Sequence, residues 1–147
     1  MIFTMLFGLF GCGEKTKTPI TSVETMTLTL RGMRGGYVYK FENEGDSTEL
    51  RCYREAYRGG EDELILESSV HCSVQTMTEL MNTCGISRWN GFHGSHPKNV
   101  SDGIMFRFEA LINDGHTIIA DGSENFPKGY YEFVRSLDEM LAESENE

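Results

Sequence analysis

Three observations predict an α+β domain: an antiparallel sheet of about six strands with two helices packed on one face. Residues 23–67 alternate apolar and polar side chains in short runs divided by Gly-rich turns. Residues 74–84 and 128–143 change to a helical period. Between them, residues 104–121 form two alternating runs around Asn113-Asp114-Gly115, a strong hairpin signal.

The strands follow from period-two alternation. In residues 23–31, Met26, Leu28 and Leu30 share one face and Thr25, Thr27 and Thr29 the other. Gly32 to Gly36 is a turn, and Tyr37, Tyr39 and Phe41 alternate after it. Asn43 to Asp46 turns the chain again. Residues 48–57 are a third strand with Leu50 and Cys52 on one face, and residues 64–67 a short fourth. These spacings fit a meander of antiparallel neighbours.

Val74, Met77, Leu80, Met81 and Cys84 recur at helical spacing, with Ser73 placed as N-cap and Gly85 as terminator. Residues 86–92 read as a short extended segment centred on Trp89, and residues 91–103 as a loop. Residues 104–112 and 116–121 are the hairpin strands. Residues 122–127 form a compact loop in which Asn125 or Ser123 is placed to cap the last helix. That helix carries Tyr130, Phe133, Val134, Leu137 and Leu141 on its apolar stripe and ends in an acidic tail.

At 147 residues the chain has room for one domain. It holds 23 Asp and Glu against 13 Lys and Arg, a net charge of −10. A nucleic-acid partner needs a basic surface, so that class is not expected. Binding to anionic lipid through charge is not expected either.

The N-terminus carries a different signal. Residues 2–10 are an apolar run about half as long as a membrane span requires. Gly11-Cys12 follows it directly, and then the polar, Pro-ended stretch 13–19. This arrangement resembles the bacterial lipoprotein signal, the lipobox. It departs from that pattern in the bulky Phe10 and in having no Lys or Arg before the apolar run. The resemblance implies that residues 1–11 are a signal peptide and that Cys12 is the lipid-bearing first residue. Residues 12–22 are then a flexible tether, and residues 23–147 the single domain. The rival reading is an apolar N-terminal element packed on the core.

Three further cysteines remain, Cys52, Cys72 and Cys84. An odd number admits at most one bridge. Three buried free thiols are the leading reading, and Cys52 with Cys84 is the preferred pair if one forms. No C-x-x-C occurs, so a zinc knuckle is not expected.

The most site-like cluster is His93-Gly94-Ser95-His96 with Asp102 downstream. These residues offer a metal site, which His116 could join, or a serine beside two bases. Solvated loop histidines account for the same residues, and no metal or other cofactor is assigned. The pairs at Asp102, Asp114 and Asp121, each followed by Gly, read as turns because none has the spacing of a calcium loop. Trp89 and Tyr130 are candidate binding aromatics, against a packing role. Tyr37 and Tyr39 with Trp89 pose the same choice.

The pattern W-x-G-F…D-G-x-x-F-x-F-x-A…D-G-x-x-I-x-A-x-G…F-P-x-G-Y, from Trp89 to Tyr130, resembles that of uncharacterised lipoproteins of gut-type Firmicutes. The resemblance implies export and lipidation and supplies no catalytic residue. The leading expectation is a lipid-anchored envelope protein facing outside the cytoplasm. It would bind an unknown protein or small-molecule ligand, or serve a structural role. The alternative is a small hydrolytic or metal-dependent enzyme using the His93–His96–Asp102 loop.

Overall fold

The computed structural model describes residues 19–32, 35–43 and 47–145. Residues 1–11, expected as a signal peptide, Cys12 and most of the expected tether lie outside the described residues.

The period-two runs form long strands: β1 (Val23–Gly32), β2 (Gly35–Asn43), β3 (Thr48–Arg58) and β4 (Glu61–His71). Helix α1 (Val74–Thr83) follows, then a 3-10 turn (Ile86–Trp89) and the two-residue β5 (His93–Gly94). The hairpin β6 (Met105–Ile112) and β7 (His116–Ser123) leads into α2 (Tyr130–Glu145). The sheet has seven strands in the order β4-β3-β2-β1-β6-β7-β5. Every pairing is antiparallel except β5 with β7.

The α+β class and the two helices on one face agree with expectation, and the extra strand is β5. β4 is longer than residues 64–67, because its exposed polar ends still pair with β3 over Glu49 to Arg58. Residues 86–92 are not extended: a 3-10 turn there drives Ile86 and Trp89 into the core. Neither Ser123 nor Asn125 caps α2. Ser123 ends β7, and the Asn125 amide donates to the Ser95 carbonyl at 3.2 Å. The last helix begins on backbone bonds, Tyr130 N–H to Pro127 O and Phe133 N–H to Gly129 O. The remaining signals act as read. Ser73 Oγ accepts from Thr76 N at 3.0 Å, and Gly85 stops α1 at φ 72°. Asn113 and Asp114 take φ 46° and 61° in the hairpin turn.

One face of the sheet is covered. Met26, Leu28, Phe41, Leu50, Phe108 and Ile118 pack there against Met77 and Met81 of α1 and Phe133 and Leu137 of α2. Trp89 is the hub. Its ring meets Phe108 at 5.0 Å and Phe133 at 5.8 Å, and its Nε1–H donates to the Lys128 carbonyl at 3.0 Å. Cys52, Cys72 and Cys84 are buried free thiols, so the Cys52–Cys84 bridge is not formed.

Burial pushes the thiols of Cys52 and Cys72 up from 9.0 to about 11. An unfolded chain ionises these thiols near 9.0, before the folded chain does. Their contribution to stability is therefore full below pH 9.0 and is lost as pH rises through 11. Iodoacetamide labelling of the native chain should be slow at pH 8 and should accelerate with the alkaline loss of stability.

Residues 19–22, expected as the end of the tether, are fastened to the fold. Ile20 is buried, and its N–H and carbonyl bond the Asn82 side chain at 3.0 and 2.9 Å. Asn113 Oδ1 accepts from Thr21 N, Thr21 Oγ1 and Ser22 N, while its Nδ2 donates to the Pro19 carbonyl. Residues 19–22 therefore pack on the fold ahead of β1. Asn113→Ala removes these bonds and places Ala at a left-handed φ. The expected cost is about 2–3 kcal/mol, read as a lowered urea midpoint.

Candidate functional site

Among the described residues, the other face of the sheet carries no helix. The register places Thr29, Arg107, Asp121 and His93 in one row across β1, β6, β7 and β5. Arg31, Met105 and Ser123 form the next row. Apolar side chains are exposed on the same face, among them Leu64, Leu66, Met105 and Ile119.

The loop of residues 91–103 is shaped by β7. Gly91 N–H bonds the Ile119 carbonyl, Asp121 N–H bonds the Phe92 carbonyl, and Ile119 N–H bonds Asn90 Oδ1. β5 then lies parallel to Asp121 and Gly122. A Cβ on Gly94 or Gly122 would meet Asn125 at 2.5 Å or less, so only glycine lets the two loops close.

This closure sets the histidines. His93 Nδ1 lies 2.5 Å from Asp121 Oδ1 and donates to it, because a carboxylate only accepts. His96 is held at both nitrogens: Nδ1 is 2.7 Å from Ser123 Oγ and Nε2 is 2.5 Å from the Val100 carbonyl. The two histidines therefore have separate partners and share no centre. Among the described residues, no group of three or more His, Cys, Asp and Glu is placed to hold a metal ion. Asp102 is exposed on the rim of the His96 depression. His116 starts β7, at the far end of the strand from Ser123.

Two depressions result, each rimmed by charged side chains over a largely apolar lining. One, of about 280 Å³, lies between His93, Asp121, Arg107 and Thr29. The other, of about 420 Å³, lies between His96, Ser123, Arg31 and Asp102. Both arginines are tied by carboxylates, Arg107 to Glu109 and Arg31 to Glu55 at 2.8 Å. The Glu55 hydrogen bond and charge raise the Arg31 pKa. Glu55 reaches Arg31 over Gly36, where a Cβ would lie 2.4 Å from its Oε1. On the helix side of the same end, an apolar groove of about 580 Å³ runs past Ile104, Phe126, Tyr131 and Val134.

Trp89 is 1% exposed and Tyr130 4%, so both aromatic candidates are packed into the core. Tyr130 stacks on Phe126 at 4.3 Å and borders the apolar groove with one edge. Tyr39 is buried too, its hydroxyl donating to Asp138 at 2.6 Å, and burial raises its pKa. Tyr37, Tyr39 and Trp89 therefore form no open stacking face. Asp121-Gly122 lies inside β7, so turn chemistry explains Asp102-Gly103 and Asp114-Gly115 but not that pair.

Asp121, Ser123, Arg31, Arg107 and Thr29 line the depressions, and sequence reasoning read Asp121 as a turn, Ser123 as a cap and gave the other three no role. The hairpin register alone places Arg107 opposite Asp121. Among the described residues, no helix is long and apolar enough to cross a membrane. The structure defines a class, an α+β domain whose described residues leave one sheet face without a helix and with two depressions on it. A search of protein-family models finds no match to the chain, and neither does a search of curated protein sequences.

Proposed function

We propose that the chain is a lipid-anchored envelope protein whose domain binds a polar ligand or a partner protein on its uncovered sheet face. The carrying observation is the separation of two ends. Residues 19–22 are clamped at the β6–β7 turn by Asn113, whereas the two depressions lie where β6 begins and β7 ends. The eight residues of β6 put about 23 Å between these ends. A chain anchored through Cys12 would then hold its site away from the membrane surface. Asp121, His93 and Thr29 offer acceptors and donors that suit hydroxyl- or amide-rich ligands.

Two experiments test the two halves. Cys12→Ser should abolish incorporation of labelled palmitate and release the chain from the membrane fraction; labelling that persists in this variant removes the anchor reading. Thermal melts of the full chain in detergent, with sugars and peptidoglycan fragments, test the site. A fragment at a hundred times its Kd stabilises by about 2.7 kcal/mol, a shift of a few degrees. That shift should disappear in Asp121→Asn and Arg107→Ala. A shift that survives both changes but is lost in Val134→Glu would move binding to the apolar groove.

A further inference from the structure

We propose that Ser123 is a nucleophile activated by His96, able to accept an acyl group from small esters. The proposal goes beyond the binding role and does not depend on it. It rests on three features. The Val100 carbonyl, 2.5 Å from His96 Nε2, only accepts, so the neutral imidazole carries its proton on Nε2. Nδ1 is then a lone pair facing Ser123 Oγ at 2.7 Å, and the hydroxyl donates to it. This is a serine hydrogen-bonded to a base whose tautomer is set by a third group. Third, Ser123 precedes Glu124, a non-glycine residue at φ 49°, so the strand ends in a sharp, strained turn. The turn leaves Ser123 half-buried on the wall of the depression that Arg31 and Asp102 also border.

The chemistry balances with water as the only co-reactant. Ser123 Oγ bonds to the ester carbonyl carbon while its proton passes to His96 Nδ1. The carbonyl oxygen becomes the oxyanion of a tetrahedral intermediate. Its collapse breaks the bond to the alcohol oxygen, which takes the proton back from Nδ1. Water then repeats the sequence on the acyl-serine, giving its proton to Nδ1 and releasing the acid and free Ser123.

Treating the full chain with a fluorophosphonate probe tests the assignment. Intact mass and peptide mapping should show one phosphonyl group on Ser123. Ser123→Ala should abolish labelling, and His96→Gln should slow it about a hundredfold or more, the usual range for losing a general base. Ser95→Ala and Ser101→Ala should label at the parent rate. Trp89 fluorescence checks that each variant is folded. Absence of labelling in the folded parent overturns the proposal, as does labelling that survives Ser123→Ala or is indifferent to His96→Gln. Ligand shifts in the melts do not depend on this outcome, so the two readings fail separately.

Discussion

Trp89→Ala is expected to cost about 3–5 kcal/mol, a large part of the 5–15 kcal/mol that holds a typical domain. The ring is 1% exposed and has Phe106, Phe108, Tyr130 and Phe133 around it. Removing it opens a cavity between the sheet and α2. It also strips the Lys128 carbonyl of its donor. Trp89→Phe keeps most of the apolar contact and should cost about 1–3 kcal/mol, mainly through volume and that lost bond. Urea titrations followed by far-ultraviolet circular dichroism read both variants. Equal costs for Ala and Phe would mean that the hydrogen bond, not the packing, dominates at this position.

Gly129→Ala should be comparably damaging for a different reason. Gly129 adopts φ 91°, and a Cβ built there would lie 2.0 Å from the Cys84 carbonyl oxygen. The obstacle is backbone at the end of α1, so no rotamer change relieves it. Gly91 has a similar φ of 86° but nothing within 4 Å of its Cβ position. Gly91→Ala therefore reports the conformational cost alone, about 1–2 kcal/mol. Gly129→Ala should exceed it by about 2 kcal/mol or more, because α1 and α2 must separate to admit the methyl group. Equal midpoints for the two variants would show that the helices separate easily there.

The sheet was legible because its physics is local. Alternation in residues 23–31 and 104–112 sets the buried face of β1 and β6. The turn at Asn113-Asp114 fixes the register of β6 with β7. Ser73 and Gly85 bound α1 through capping chemistry within four residues of each end. What escaped was long-range. β5 pairs through only His93 and Gly94, too short for any periodicity to register. Trp89 looked surface-capable beside its polar neighbours, yet a 3-10 turn, not a strand, delivers it to the core. The histidines were recognisable as a cluster, but their partners Asp121 and Ser123 lie 28 and 27 residues away. A neighbour-based reading joined His93 to His96; the register of β7 separates them.

Photo-crosslinking on intact cells tests most directly whether the uncovered face is the working surface. Benzoylphenylalanine is placed at Met105 or Ile119 on that face, and at Gln75 or Glu143 on the exposed sides of the helices. Each variant is expressed as the full chain and irradiated in place. The expected result is a discrete adduct from Met105 and Ile119, lost when Arg107→Ala and Asp121→Asn are added, and none from the helix positions. Adducts confined to Gln75 and Glu143 would contradict the assignment and transfer the binding role to the helical side of the domain.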